Sequence, residues 1–95
     1  MMYTVSSEIY DHVAAALVDA IADRSFFSGS VSTCCDEVYM RLTATLVVYR
    51  STGAGEDRGG IADVVPVWWE FHTLCGSEEI LNDFSFATLR EHIMA

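Results

Sequence analysis

Residues 38 to 50, VYMRLTATLVVYR, place an apolar side chain at every second position from Val38 to Val48. Successive side chains of a strand point to opposite faces, so this run predicts a long strand with one face buried. A strand of this kind is stable only within a sheet, and that sheet needs other elements to cover its buried face. The rest of the chain must therefore supply partner strands and a cover.

Two further runs have the β-branched and aromatic composition of strands, FFSGSVSTCC at 26–35 and IADVVPVWWEFHTLC at 61–75. Asp36-Glu37 is predicted to form a tight turn between the first two strands, and Gly76-Ser77 a second turn. A short fourth strand is predicted at 79–84. The glycine-rich stretch STGAGEDRGG, 51–60, is predicted to be a flexible polar loop.

Helical patterns flank these runs. Ile9, Val13, Leu17 and Ile21 recur at helical spacing, which predicts a helix from about 7 to 23 with Ser6 as its N-cap. Ser85 is predicted to cap a last helix that carries Phe86, Leu89 and Ile93 on one side. We therefore predict a single α+β domain over 1–95. It is a three- or four-stranded antiparallel meander with the N- and C-terminal helices on one face, in the order α-β-β-β-(β)-α.

The first hairpin decides which side chains share a face, because its turn pairs Cys35 with Val38 and Val31 with Leu42. The face under the helices is expected to hold Phe27, Val31, Leu42, Leu46, Val48, Val65, Val67, Trp69 and Phe71. The opposite face, called the helix-free face below, is expected to hold Ser28, Ser30, Ser32, Cys34, Tyr39, Arg41, Thr43, Thr45, Val47, Tyr49, Trp68, Glu70 and His72.

The long loop leaves the register of the third strand open by two residues. Pairing of Leu42 with Trp69 would place Arg41 opposite Glu70, Tyr39 opposite His72 and Thr43 opposite Trp68. In either register Trp69 is expected to be the buried tryptophan and Trp68 the exposed one. An exposed tryptophan beside other aromatics is typical of an interface, and the alternative is that the long loop shields it.

The candidate interface residues are therefore those that the helix-free face gathers around Trp68. They are Tyr39, Arg41, Val47, Tyr49, Trp68, Glu70 and His72. A small enzyme that uses Arg41, Glu70 and His72 is a further alternative, since a histidine with a carboxylate can transfer protons. No nucleophile motif or phosphate-binding glycine loop accompanies them, so catalysis is not expected.

No cofactor or metal is expected. Cys34, Cys35, His72 and Cys75 come to one end of the predicted sheet, but Cys34 and His72 face away from Cys35 and Cys75. The last two are expected to be buried as small apolar side chains. Three cysteines form no disulfide framework, and the N-terminus does not have the pattern of a secretion signal, so we expect a reducing cytoplasm.

Charge restricts the partners. Fourteen acidic residues against five arginines give a net charge of -9, which argues against nucleic acid as a partner. No apolar run is long enough to span a membrane. The order α-β-β-β-α resembles the double-stranded RNA-binding domain, but the last helix, SFATLREH, has Arg90 where that family has several lysines.

A second resemblance covers roughly residues 61 to 93. IADVVPVWWEFHT followed by LNDFSFATLREHI resembles short uncharacterised proteins of gut Bacteroidales, often linked with conjugative elements. The resemblance implies a bacterial cytoplasmic accessory protein, and it brings no known active residues.

The function expected from the sequence is a small non-catalytic interaction module, a homodimer through the helix-free face. The alternative is an acidic inhibitor or DNA mimic of a basic nucleic-acid-handling protein, for which Glu8, Asp11, Asp19 and Asp23 provide a short acidic row.

Overall fold

A computed structural model describes residues 2–50 and 61–94, and the predicted loop at 51–60 lies outside the described residues. The elements in chain order are β1 (Met2–Tyr3), α1 (Ser7–Ile21), β2 (Phe26–Cys35), β3 (Val38–Arg50), β4 (Ile61–Cys75), β5 (Glu78–Asn82) and α2 (Phe86–Met94). The strands form one sheet in the order β1-β5-β4-β3-β2. The predicted α+β class and meander are confirmed, and the short β1, parallel to β5, is an addition.

The first hairpin has the predicted geometry. Cys35 pairs with Val38 and Val31 with Leu42, and the turn residues Asp36 and Glu37 have φ of 51° and 68°. Positive φ at both turn positions matches the right-handed twist of the flanking strands, although it strains residues that have a Cβ. This two-residue turn is the local cause of the register between β2 and β3.

Helix α1 starts as predicted and ends early. The Ser6 hydroxyl accepts a hydrogen bond from the Ile9 amide at 3.3 Å. The helix ends at Ile21 rather than at 23, because Ala22 turns to a φ of 55°. The Arg24 guanidinium donates to the Ala20 carbonyl, and Arg50 donates to the carbonyls of Ala22 and Arg24. Arginine is favourable here because the carbonyls at a helix C-terminus lack intrahelical donors.

The core lies between the two helices and one face of the sheet. It contains Leu17 and Ile21 of α1, Met40, Leu42 and Leu46 of β3, and Leu89 of α2, all fully or almost fully buried. At the α2 end an aromatic cluster continues it. Phe71 and Phe84 stack with ring centroids 4.0 Å apart, and Tyr10 stacks on Phe84 at 5.4 Å. Both helices cover the same face, as the sequence predicted.

The structure decides the register of β4, which the sequence left open by two residues. Leu42 pairs with Phe71 rather than with Trp69, so Arg41 faces His72, Thr43 faces Glu70 and Tyr39 faces Leu74. This pairing differs by two residues from the pairing of Leu42 with Trp69. A shift by an even number of residues leaves each side chain in the C-terminal half of β4 on the same face of the sheet. Ten residues separate β3 from β4 in the sequence, too many to fix the alignment, so side-chain packing across the strands decides it.

A bulge in β4 overturns the predicted positions of Val65 and Val67. Thr45 pairs with Trp68 while Leu46 pairs with Pro66, so Val67 is the extra residue on β4. Because of the extra residue, each side chain of β4 before the bulge points to the face opposite to the predicted one. Val64 therefore enters the core, while Val65 and Val67 are 41% and 68% exposed.

Trp69 lies on the helix side, but its predicted burial is wrong. Its ring packs edge-on against Phe84 at 5.4 Å and beside Phe86 at 6.2 Å, yet 36% of it stays exposed. Helix α2 has nine residues, and its buried residues are Phe86 and Leu89. Trp69 therefore packs at the margin of the core, not in its interior.

The predicted fourth strand runs from Glu78 to Asn82 rather than over 79–84, and it pairs with β4 only at Thr73 to Cys75. Beyond this short ladder, side chains provide the hydrogen bonds. The Thr73 hydroxyl, fully buried, donates to the Ile80 carbonyl at 2.6 Å, and the Asn82 amide donates to the Phe71 carbonyl at 3.2 Å. The Asp83 carboxylate accepts from the Val5 amide at 2.8 Å, which joins β1 and the start of α1 to the far edge.

Candidate interaction surface

All seven candidate residues lie on the helix-free face. Directly paired residues of a sheet share a face, and the pairs that fix the assignment are Arg41 with His72 and Thr45 with Trp68. Side chains an even number of residues from Arg41 along β3 lie on the same face, which places Tyr39, Val47 and Tyr49 there. On β4, Glu70 is two residues from both Trp68 and His72 and therefore shares their face. Trp68 is 49% exposed. The face divides into an apolar patch, a hydroxyl band and a charged end.

The apolar patch occupies the end of the face near residue 50. A row of directly paired residues, Phe26, Val47 and Val65, crosses β2, β3 and β4. Tyr49 and Trp68 flank this row, and Phe26, Tyr49 and Val65 are all exposed. Directly opposite and diagonal neighbours on one sheet face lie within reach of large side chains, so these five residues form one continuous surface.

The hydroxyl band crosses the middle of β2 and β3. Ser28 and Thr45 share a hydrogen bond of 3.2 Å, and Ser30 and Thr43 share one of 2.8 Å. These hydroxyl pairs carry no charge and satisfy one another across the strands. The band therefore separates the apolar patch from the charged end without adding charge to either.

The charged end is centred on His72. Its Nδ1 lies 2.6 Å from a Glu79 carboxylate oxygen, and its Nε2 lies 3.0 Å from a Glu70 carboxylate oxygen. An ionised carboxylate can only accept hydrogen bonds, and a neutral imidazole has one N–H. Both contacts are therefore hydrogen bonds at once only when the ring carries two protons. Glu79, then Glu70, raise the pKa of His72 above its ordinary value of 6.5 against the opposing effect of desolvation.

This arrangement is poor for proton transfer and for metal binding. Both ring nitrogens of His72 already face carboxylates of the chain, so neither is directed at a substrate. Glu70 and Glu79 contact opposite sides of the ring, and so cannot coordinate one ion together with it. Across residues 2–50 and 61–94, no group of three or more histidine, cysteine or acidic side chains is arranged to hold a metal ion.

The cysteines are less buried than the sequence predicted. Cys75 is exposed at the end of β4, whereas Cys35 is half-buried against the core and Cys34 is exposed. Cys75 shares the helix side with Val38, its partner in the sheet, but at the last position of the strand the helices no longer cover it. Desolvation, and then the neighbouring Asp36 carboxylate, raise the pKa of the Cys35 thiol.

The predicted interface did not include Phe26, Val65 or Glu79, which contribute to the apolar patch and the charged end of this face. Phe26 could have been found, because the two-residue turn alone gives it the same parity as Ser28. The proline in β4 was the signal for Val65, since a proline in a strand accompanies an edge or a bulge. Glu79 had no signal, because a short fourth strand can pair in several registers.

The helical side carries a different surface. Glu8, Asp11, Asp19 and Asp23 are all exposed on or just beyond α1. A groove of about 420 Å³ runs between α1 and α2, lined by Asp11, Ala14, Ala15, Val18, Asp19, His92 and Ile93. His92 packs on the Tyr10 ring, and its Nδ1 lies 2.6 Å from the Asp11 carboxylate. His12 is also exposed on this side.

Neither helix in the described part of the chain has the length and apolar character to cross a membrane. Comparisons with protein-family models, with curated proteins and with solved structures find no match to this chain. The geometry of the helix-free face is therefore the basis for assigning a function.

Proposed function

We propose that this chain is a small non-catalytic interaction module that self-associates through its helix-free face. The observation that carries the proposal is the apolar patch of Phe26, Val47, Tyr49, Val65 and Trp68. Contiguous exposed apolar surface with a polar surround is the mark of protein–protein contact, and aromatic residues are enriched in the centre of such contacts.

A second copy of the chain is the occupant that the charges favour. The chain carries a net charge of -9, so most contacts between two copies are repulsive. The charged end of the helix-free face is mixed in sign, because Arg41 lies beside His72 across the strands and Glu70 and Glu79 contact His72 and raise its pKa. Two copies can therefore meet through this face without bringing their excess acidic charge together.

The size of the face also suits a dimer. The molecule measures 47 × 22 × 18 Å, so its broad side covers on the order of 1,000 Å². A stable complex of ordinary size buries about 800 Å² per partner. A two-fold axis near the apolar patch would place patch against patch, with the hydroxyl band and the charged end towards the rim.

The proposed setting is a bacterial cytoplasm, where the chain acts as an accessory protein. It is supported by the three cysteines, which are all free thiols, and by the resemblance of residues 61 to 93 to short Bacteroidales proteins. The proposed absence of catalysis is supported by the occupied nitrogens of His72 and by the position of the groove, which lies between the helices.

The test uses two valines of matched exposure. Val65 in the patch is 41% exposed and Val18 on α1 is 39% exposed. Val65→Glu and Val18→Glu add the same charge, so they differ only in where they place it. Sedimentation velocity over a concentration series should show that Val65→Glu weakens self-association at least about tenfold, while Val18→Glu behaves as the parent. Equal effects of the two changes, or a parent that is monomeric throughout, would contradict the proposal.

The acidic face of α1 favours a second candidate function, inhibition of a basic nucleic-acid-handling protein. Here the groove supplies apolar contact and Asp11 and Asp19 supply charge at its rim. Binding of a basic protein should then fall steeply with salt, because exposed charges are screened within about 8 Å at physiological ionic strength. Changing Glu8, Asp11 and Asp19 to Lys should abolish it, while Val65→Glu should leave it intact.

A further inference from the structure

Among residues 2–50 and 61–94, no strand pairs with the outer edge of the ten-residue strand β2. Within the described chain, β3 is the one strand beside it. Two features determine which residues of β2 direct their backbone N–H and C=O groups away from β3. They are the turn at Asp36-Glu37 and the hydrogen bond from the Val48 amide to the Ser25 carbonyl at 2.9 Å. Alternate residues of an antiparallel strand direct both backbone groups to the same side. Phe27, Gly29, Val31, Thr33 and Cys35 thus bond to β3, while Phe26, Ser28, Ser30, Ser32 and Cys34 direct theirs outward.

This edge lacks the devices that keep sheet edges apart. Natural edge strands are protected by charged side chains, proline, bulges or brevity. The part of β4 that β5 does not reach has three of these devices, a proline, a bulge and a charged side chain. Pro66 lies beside the bulge, and Asp63 forms an ion pair with Arg90 at 2.6 Å. At the other side of the sheet, β1 has two residues. In contrast, no charged residue and no proline occurs between Arg24 and Asp36.

We propose that β2 pairs antiparallel with the β2 strand of a second copy, so that two sheets join into one continuous sheet around a two-fold axis. The identity of the occupant follows from charge. A second copy brings an uncharged strand to an uncharged strand, in a chain that is otherwise strongly acidic. This contact is additional to the proposed function, which concerns the helix-free face, and the experiment below separates the two.

The outward groups fit a register centred on Ser30. A two-fold axis there pairs Ser30 with itself, Ser28 with Ser32 and Phe26 with Cys34 of the second copy. Every outward residue then exchanges two hydrogen bonds with its partner, about ten in all. On the helix side, Gly29 comes opposite Val31. The absence of a Cβ at Gly29 leaves room there, and the Phe27 ring of the same chain lies 3.4 Å from the position a Cβ would take.

The first measurement is residue-resolved amide hydrogen exchange over a range of protein concentrations. The amides of Ser28, Ser30, Ser32 and Cys34 should exchange slowly when the protein is associated and fast when it is diluted. The inward amides of Val31 and Thr33, bonded to β3 in both states, serve as the internal reference. Outward amides that exchange fast in the associated protein would place the contact elsewhere and overturn the inference.

The second measurement is sedimentation of variants of the edge. Ser32→Pro removes one outward donor and leaves the ladder to β3 intact, because the N–H of Ser32 does not face β3. Ser32→Ala keeps the N–H and is its matched control. We expect Ser32→Pro to weaken association at least about tenfold and Ser32→Ala to leave it unchanged. Loss of association in both variants, or in neither, contradicts pairing through the backbone.

A charge variant keeps the test decisive if Ser32→Pro does not fold. Ser30→Lys reduces the net charge of the chain but brings two like charges together at the proposed axis. It should weaken association, while Ala15→Lys on α1 makes the same charge change and should not. If Ser30→Lys has no effect while Val65→Glu does, the edge pairing fails and the helix-free face contact stands. If Ser30→Lys weakens association while Val65→Glu does not, the edge pairing is supported and the contact through the helix-free face is contradicted. A parent protein that is monomeric at every concentration contradicts both proposals.

Discussion

Adjacent tryptophans on β4 allow a prediction in which residue type and strand are held constant. Trp69→Ala removes a ring that packs against Phe84 and Phe86 and is 36% exposed. Truncating a fully buried aromatic costs about 3–5 kcal/mol. Scaled by the buried share of Trp69, roughly two thirds, the expected loss of unfolding free energy is about 2–3 kcal/mol. For a domain of this size that lowers the melting temperature by roughly 10–20 °C.

Trp68→Ala removes a ring from the helix-free face, where no helix covers it and its cross-strand partner is Thr45. Cross-strand pairs contribute roughly 0.2–1 kcal/mol, and truncation at an open surface leaves no cavity. The expected loss for the monomer is therefore about 1 kcal/mol or less. Its larger effect should be on self-association, where a central interface aromatic contributes about 2 kcal/mol or more.

Chemical denaturation followed by far-UV circular dichroism measures both losses, because the backbone dominates that signal and each variant is fitted to its own folded and unfolded baselines. The experiment should run at low protein concentration, since association stabilises the folded chain by mass action. Trp69→Phe is the control that restores an aromatic contact with Phe84. If Trp68→Ala destabilises the monomer as much as Trp69→Ala or more, the assignment of the two rings to opposite faces of the sheet is refuted.

Three further predictions concern single contacts. The pKa of His72 is raised above 6.5 in the folded state, so its contribution to stability is complete below about pH 6.5 and is lost as the pH rises through the folded value. His72→Gln should therefore reduce the unfolding free energy at pH 6 and have a smaller effect at pH 9, and a difference that grows with pH would contradict this. Glu37→Gly should stabilise the chain by up to about 1 kcal/mol in thermal melts, because Glu37 has a φ of 68° that glycine adopts without strain. A lower melting temperature for this variant would refute the prediction. Thr73→Val should lower the unfolding free energy measured in denaturant titrations by about 1–3 kcal/mol, because the Ile80 carbonyl and the Asn82 side-chain amide lose the buried hydroxyl that each contacts. An unchanged midpoint would show that these groups find other partners.

Local sequence was sufficient for both helices, for β2, β3 and β4 and for one register, but not for the two-residue β1. The alternation from Val38 to Val48 determines the length and buried face of β3, and a two-residue turn leaves no freedom in how β2 pairs with it. Ser6 and the spacing of Ile9, Val13 and Leu17 determine where α1 starts and which side it buries. These are interactions over a few residues, so the sequence carries them directly. The parity of Trp68 and His72 follows from the same strand period.

Tertiary packing decided the alignment and bulge of β4 and the pairing of β5. The ten residues between β3 and β4 are too many to set the alignment of β4, so the pairing of Leu42 with Phe71 and the bulge at Val67 result from packing against β3 and the helices. The bulge in turn moves Val64 into the core and Val65 into the apolar patch. Glu79 reaches His72 only because β5 pairs with Thr73 to Cys75. Trp69 stays partly exposed because α2 is short. A residue's face is a local property of its strand, but its neighbours across the sheet and its cover are set by contacts between segments far apart in the chain.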